Sequence, residues 1–452
     1  MTKYNKILLN TTVDYLPMKE FNKNPLIFSK GDRGFVWDVN NVRYFDAIGG
    51  VFVSMLGHNY KPLNQIIAKQ LEKLTFFPGL NGISEESLQF VEDFSSITPR
   101  SLNFIKSYTI GSEAVEASLK FARQYHKQTN NSTKFKTLSL NLSYHGGTLA
   151  TASASGRGER KKKFEPLVGG FLKVPSPYQI YKNLQKFKPN DSNLWEEANV
   201  LAIDIAEDTI INESPDTISS FLIEPISNTA GIIEPTADYF LKLRKICDEN
   251  NILLIFDEIL TGIGKTGKFF ATEYLPVLPD ILVAGKALSN GTVPVSAIAI
   301  KNQLFDCFYS DDPTNAFSHG HTFASMPLGA AVGSAVINEI KQNNYLEIAQ
   351  IHGNYLREKL VTLKKYDFVI DIRGRGNLLC VEVDNNYFHK RYKNFTSFGN
   401  LFKQETLKNG LILRIDPHWF SMSPPLVCTF SEIDELFYII DKSIENILNL
   451  LK

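Results

Sequence analysis

The chain predicts an α/β fold, a large domain with a mainly parallel central sheet flanked by helices plus a smaller α+β domain. Two observations carry this expectation. Short β-rich apolar runs alternate with helical patterns through the middle of the chain, and the texture changes in the last third. The candidate strands are Phe104–Thr109, Thr137–Leu142, Val200–Ile205, Ser220–Ile226, Ile252–Asp257, Ile281–Ala284 and Val295–Ile300. Runs such as Ile252-Leu253-Leu254-Ile255-Phe256 are apolar without interruption, as suits strands buried on both faces of a parallel sheet. The segments Ser112–Lys127 and Ala237–Glu249 read as helices between them. Strand and helix alternating in this way imply packed layers joined by right-handed crossovers.

The last third looks different. Asp371–Asp384 and Leu411–Asp416 read as isolated strands, followed by a long amphipathic helix. Ser431 and Asp434 supply a capping-box pattern for that helix, and Ile433, Leu436, Ile440, Ile444, Ile447 and Leu451 fall on one face. A chain of 452 residues exceeds one small domain and favours two packed units. The expected layout has residues 1–60 as an N-terminal segment contributing to the small domain, 61–330 as the large α/β domain, and 331–452 as the C-terminal small domain. No internal repeat or low-complexity linker interrupts it.

Composition excludes several classes. Apolar residues make up 43% and charged residues 21%, and Lys plus Arg equals Asp plus Glu at 48 each. There is no overall basic field to attract nucleic acid or a membrane. The basic run from Arg157 to Lys163 reads as a solvated loop. Four single cysteines (Cys247, Cys307, Cys380, Cys428) form no CxxC pair, which fits a reducing compartment. The start, MTKYNKILLNTTVDYL, lacks the apolar core of a signal peptide, and no stretch reaches the roughly 20 apolar residues of a membrane span. The expectation is a soluble cytoplasmic protein.

The chemistry begins with Asp257 and Lys286. Ligand sites in open α/β sheets lie at the carboxyl ends of strands; Asp257 ends one such strand, and Lys286 follows the next strand-like run. A lone lysine there is usually an ordinary surface residue. A lysine amine, however, forms an imine with an aldehyde cofactor, and a carboxylate facing a pyridine nitrogen keeps that ring protonated as an electron sink. Gly111-Ser112 opens a helix after a strand, and helix N-termini offer free N–H groups and a positive dipole end to phosphate. A plain serine-capped helix has the same appearance. Tyr144-His145-Gly146-Gly147 follows Thr137–Leu142, where an aromatic ring can lie flat on a cofactor or simply belong to the core. Glu224-Pro225 places a second carboxylate at the same sheet edge.

Taken together, these segments resemble the class III aminotransferases, a fold type I pyridoxal-phosphate family. The resemblance rests on GSEAVEASLKFAR (111–123), YHGGT (144–148), EPI (224–226), IFDEILTGIGKTG (255–267), PDILVAGKALSNGTVPVSA (279–297), HGHTF (319–323), RGRGNLL (373–379) and SPPLVCTFSEIDEL (423–436). The set runs in the family's order from about residue 35 to the C-terminus. It implies pyridoxal 5'-phosphate as cofactor, with Lys286 as the Schiff-base lysine and proton shuttle. Asp257 then pairs with the pyridine nitrogen, Tyr144 covers the ring beside His145, and Glu224 sits next to the cofactor. Gly111 and Ser112 hold the phosphate, joined by Thr322 of the partner subunit across a homodimer interface.

The departures are informative. Ile263 and Lys265 stand where the family reads phenylalanine and arginine. Ser421 stands where the ornithine and 4-aminobutyrate branches carry a carboxylate-binding arginine. Arg414 instead matches the mobile arginine of the amine–pyruvate branch. A guanidinium grips a carboxylate bidentately and, swung aside, leaves room for an apolar group. Phe52, in Gly49-Gly50-Val51-Phe52, falls where that branch lines its substrate pocket with an aromatic, with Phe76 or Phe77 contributed near the other subunit.

Three rival classes fit the sequence less well. Gly264-Lys265-Thr266 imitates the end of a P-loop, but Ile259 stands where the motif needs its first glycine. His319 and His321 suggest a metal hydrolase, but no third ligand stands at convincing spacing, so no metal is expected. A non-catalytic relative has no reason to keep Lys286 and Asp257 together. Within the cofactor class, an aminomutase, a decarboxylating transaminase or a racemase shares the same lysine and aspartate, since all labilise a bond at the imine-bearing carbon. The favoured reading is a transaminase moving an amino group from an amine or ω-amino acid to a keto acid, pyruvate, by a ping-pong mechanism.

Overall fold

The computed structural model describes residues 25–156, 158–188, 191–392, 395 and 397–452. Its strands are β1 (Phe28–Asp32), β2 (Phe35–Asp38), β3 (Arg43–Asp46), β4 (Phe104–Tyr108), β5 (Lys136–Leu140), β6 (Phe171–Val174), β7 (Ile218–Ile223), β8 (Leu253–Asp257), β9 (Ile281–Ala284), β10 (Ser296–Ile300), β11 (Val369–Arg375), β12 (Leu378–Val383), β13 (Leu411–Ile412), β14 (Arg414–Asp416) and β15 (Trp419–Met422). Seven of them form the central sheet in the order β4-β10-β9-β8-β7-β5-β6. Strands β5 to β9 pair in parallel, whereas β10 runs antiparallel to both β9 and β4. Every residue of β7, β8 and β9 is buried, as their unbroken apolar runs require. Fully burying one such side chain stabilises the fold by roughly 1.5–3 kcal/mol.

Helices cover the sheet with apolar stripes. Gly111–Gln128 buries Ala114, Val115, Leu119, Phe121 and Ala122, and Ala237–Glu249 buries Tyr239, Phe240, Leu243, Ile246 and Cys247. The second begins where Thr236 accepts a hydrogen bond from the Tyr239 N–H, closing one of the open donors of a helix start. A separate four-stranded sheet joins β1, β2 and β3 to β13, and another runs β11-β12-β15-β14. Residues near the start of the chain thus share a sheet with residues beyond 410.

Several expectations are corrected. Val200–Ile205 is not a strand but the middle of a helix, Leu194–Asn212. Its run VLAIDI looks strand-like in isolation, yet Glu196 and Glu197 favour a helix start. Burial at Ala198, Ala202, Ala206 and Ile210 follows the helical period. The expected single strand Asp371–Asp384 is a hairpin, broken where Gly376 takes φ +51°, a conformation glycine adopts readily. Leu411–Asp416 divides at Leu413, with β13 paired to β3 and β14 to β15, so neither segment is isolated. The C-terminal helix, Phe430–Leu451, is capped by Thr429 and Glu432, not by Ser431 and Asp434. The basic run forms the short helical turns Gly158–Lys161 and Lys162–Phe164 rather than a loop; Arg157 and the opening 24 residues lie outside the described ones.

Candidate active site

The polar residues of the site sit at the carboxyl ends of the parallel strands, where each chain segment leaves the sheet. Asp257 is the last residue of β8 and is 5% exposed. One of its oxygens accepts from the Ile259 N–H at 3.1 Å. The other lies 2.8 Å from Nδ1 of His145, itself buried. A carboxylate only accepts, so the proton of this contact belongs to Nδ1. The Nε2 of His145 is buried with no hydrogen-bond partner among the described residues, an acceptor that an incoming donor can fill. The main chain at this residue is fixed as well, because the backbone N–H of His145 donates to the Ser155 hydroxyl at 2.8 Å.

Glu224 follows β7 directly. It accepts from the Tyr144 N–H at 3.2 Å and from the Ser227 hydroxyl at 3.3 Å. Burial, reinforced by the negative charge of Asp257, pushes its carboxyl up to about 8. Lys286 opens a 3₁₀ turn after β9 and is partly exposed. Its φ of +46° is a strained conformation for a side-chain-bearing residue, and such strain concentrates at functional sites. Burial lowers the proton affinity of its amine, while Asp257 and Glu224 pull it back. The amine therefore lies in the field of two carboxylates and is reachable from solvent.

The phosphate candidates meet the tyrosine loop. The helix at Gly111 starts from Ile110, and Glu113 folds back to accept the N–H groups of Thr109 and Ile110 at 3.1 and 3.4 Å. Ser112 is thus released from capping, contrary to the plain serine-cap alternative. Its hydroxyl instead accepts from the Gly147 N–H at 3.1 Å. A side chain at Gly146, which has φ +139°, would lie 2.5 Å from that hydroxyl. The approach of the two loops therefore depends on glycine there.

One apolar residue was missed from sequence. A side chain on Gly111 would meet Ile259 at 2.8 Å, and one on Gly285 would meet it at 3.5 Å. Ile259 thus walls the space between the candidate phosphate cradle and Lys286. It lies in the turn after β8, two residues beyond Asp257, and its apolar side chain carries no chemical signal in the sequence.

Other predicted residues lie further out. Tyr144 is 39% exposed. Thr322 is exposed and is not brought to this group within the chain. Phe76 packs against Phe323 with ring centroids 5.5 Å apart, so the two segments expected to reach across subunits are neighbours. Phe52 is only 2% exposed, and lies in an apolar cluster with Ile226, Ile232, Leu260 and Trp419. It holds φ +61°, a genuine outlier for a bulky residue. The guanidinium of Arg414 sits 5.8 Å from the centroid of Trp419, which links the arginine to that cluster.

The rival motifs resolve into ordinary structure. Lys265 is 1% exposed and donates to the Gly262 carbonyl at 3.1 Å, so no phosphate cradle opens there. His319 packs against Tyr108 and His321; burial and Lys120 lower its pKa to about 4. A cavity of about 610 Å3, lined by Tyr178, Trp195, Arg357, Arg373 and Glu382 among others, lies elsewhere. None of Lys286, Asp257 and Glu224 borders it. Among the described residues, no helix is long and apolar enough to cross a membrane.

A carboxylate ending a central strand, a strained lysine after the next and a helix start whose serine is free of capping thus meet at one edge of the sheet. The family model for class-III aminotransferases matches residues 18–444, and the chain belongs to that family, with its fold type I architecture and its cofactor. It is 32% identical over 432 residues to an acetylornithine aminotransferase of Caldanaerobacter subterraneus, covering 95% of this chain and 97% of that protein. It is 30% identical over 420 residues to a probable γ-aminobutyrate transaminase of Oryza sativa, covering 91% and 81%. Among solved structures, an (S)-enantioselective ω-transaminase from Thermomicrobium roseum superposes with TM-score 0.87 at 27% identity, covering 96% of this chain and 95% of that one. The ω-transaminase of Pseudomonas jessenii in complex with PMP gives 0.88 at 25%, covering 97% and 96%. The chain is therefore a pyridoxal-phosphate-dependent aminotransferase.

Proposed function

We propose that this aminotransferase takes its amino group from an amine or ω-amino acid and gives it to pyruvate, working as a cytoplasmic homodimer. The observation that carries the acceptor assignment is Arg414. It is half-buried over Trp419, beside the Phe52 cluster, and its Nε is buried without a partner among the described residues. A guanidinium with an unfilled donor in an apolar setting is suited to a small carboxylate. The ω-transaminase neighbours support the same branch. The four free cysteines favour a reducing compartment.

The site residues take the following roles. Pyridoxal phosphate supplies an aldehyde that accepts the amino group and a ring that withdraws electrons from the reacting carbon. Lys286 would hold the cofactor and, as a free amine, would carry the proton at its Nζ; its lowered proton affinity suits that task. Asp257, steadied by His145, would supply a negative charge to the cofactor's ring nitrogen. Gly111 and Ser112 would offer N–H and hydroxyl groups to the phosphate, with Thr322 of the partner subunit. Tyr144 and Ile259 would help to hold the ring. Glu224, whose carboxyl burial pushes up to about 8, accepts from the Tyr144 N–H and steadies that loop. In this reading residues 61–330 form the cofactor-binding domain, and residues 1–60 and 331–452 the smaller one.

The test is the visible spectrum of the purified protein. The band of bound cofactor is expected to bleach with a monoamine or ω-amino acid and to return with pyruvate. Initial-rate plots are expected to be parallel. A band that no donor bleaches points to a mutase, decarboxylase or racemase, and return with 2-oxoglutarate but not pyruvate removes the acceptor assignment.

A further inference from the structure

Arg414 is not alone on its strand. In β14 the side chains of residues 414 and 416 share a face, because a strand repeats every second residue. Register places Ser421 opposite Arg414 and Trp419 opposite Asp416, so these four side chains share one surface of the sheet. On it, Nη2 of Arg414 lies 2.8 Å from an oxygen of Asp416. The aspartate side chain is 3% exposed and the arginine 24%. Arg414 Nε and the Ser421 hydroxyl are both buried with no hydrogen-bond partner among the described residues.

Building on the acceptor reading above, we propose that Asp416 is the resident counter-ion of Arg414 and sets how strongly the enzyme prefers carboxylate substrates over uncharged ones. A bare guanidinium would offer a full positive charge to a keto acid. Paired with Asp416 it is neutral overall, and an incoming carboxylate must share the arginine or displace the aspartate. Displacement leaves a buried carboxylate without its cation, which is costly. Asp416 therefore weakens the grip on pyruvate. It confers the converse benefit on substrates that carry an apolar group, since no unpaired cation then faces that group beside Trp419 and Phe52. Ser421 adds a hydroxyl to the arginine's side of the surface and no competing charge.

The measurement is a pair of Michaelis constants in the holoenzyme, for pyruvate and for 1-phenylethylamine, together with the inhibition constant of acetate against the amine. In Asp416→Asn, KM for pyruvate and the acetate constant are expected to fall about tenfold. KM for 1-phenylethylamine should rise several-fold, and kcat should change less than either. Asp416→Glu should restore the wild-type ratio of the two constants. Combining Asp416→Asn with Arg414→Gln should abolish the effect on pyruvate, because the two residues act as one unit. A rise in KM for pyruvate in Asp416→Asn would overturn the proposal, since it would show that the aspartate orients the arginine for the carboxylate. Equal changes in both constants would overturn it too, as a structural effect. If Asp416→Asn does not fold, Asp416→Ser carries the same comparison. Should Arg414→Gln alone leave the pyruvate constant unmoved, the acceptor assignment fails; should it raise that constant while Asp416→Asn lowers nothing, only the counter-ion role fails.

Discussion

Lys286 and Lys265 lie close enough for their charges to oppose each other, and both are pressed toward the neutral amine by burial. Their surroundings differ. Lys265 is 1% exposed and donates to one backbone carbonyl, Gly262. The carboxylate that favours its charge, Glu258, is already engaged by the N–H groups of Ala271 and Thr272 and by the Thr261 hydroxyl. Lys286 is partly exposed, strained in the left-handed region, and faces Asp257 and Glu224. A depressed proton affinity therefore does not by itself distinguish the two lysines. Partial exposure, the two neighbouring acids and a strained backbone set Lys286 apart and support its proposed role.

The strongest way to break this contrast is Lys286→Ala. Loss of the amine proposed to hold the cofactor and move the proton is expected to lower turnover by at least about 10^3-fold, with some cofactor still retained through the proposed phosphate contacts. Turnover is measured under saturating donor and pyruvate; wild-type-like rates would dismantle the site as drawn. Asp257→Asn comes next. It keeps the shape, removes the charge proposed to serve the ring nitrogen and perturbs the His145 contact. A loss of about 10^2-fold or more in kcat is expected, the scale of removing one preorganised electrostatic group.

A third test uses Glu224. Its folded-state proton affinity is raised to about 8 from an ordinary 4.5, so the folded protein binds a proton that the unfolded chain has released between those values. The stability it confers is full below about 4.5 and is lost as pH rises through about 8. Melting temperatures of the cofactor-free protein should therefore decline across this window more steeply in wild type than in Glu224→Gln. Parallel pH profiles would place Glu224 outside the buried carboxylate pair.

The ends of the buried strands were readable because an unbroken apolar run that stops at a charged residue leaves little choice of where the sheet edge lies. Asp257, Glu224 and Lys286 all follow that rule. The reading failed where local pattern and context disagreed. Val200–Ile205 carries strand-like residues, but its flanking acidic turn and alanine spacing make it helical. Ile259 gave no chemical signal, since its role comes from touching Gly111 and Gly285, far away in sequence. Asp416 was unreadable for a related reason. Two residues apart on a strand means the same face, but what that face meets depends on the pairing with Trp419 and Ser421. Phe52 was singled out for a pocket wall, and the structure sets it in a buried cluster beside Trp419 under backbone strain.

The finest test of the lysine contrast is Lys265→Met, the smallest change in activity expected of the four. Methionine keeps most of the volume and removes an amine whose charged form the site resists, and it leaves the Gly262 carbonyl without that donor. Burial lowers the folded-state pKa of Lys265 to about 7, whereas the unfolded chain keeps an ordinary lysine value. The unfolded state therefore binds more protons above pH 7, and wild-type stability rises with pH between about 7 and the ordinary lysine range. The burial penalty is full below pH 7. Lys265→Met should thus be more stable than wild type by on the order of 2 kcal/mol at pH 6, with the gain shrinking toward pH 10 and kcat staying within about twofold. Denaturant midpoints at both pH values, measured beside turnover, check this. A large loss of turnover with stability unchanged would mean that the sealed lysine takes part in the chemistry, and the distinction between the two amines would have to be redrawn.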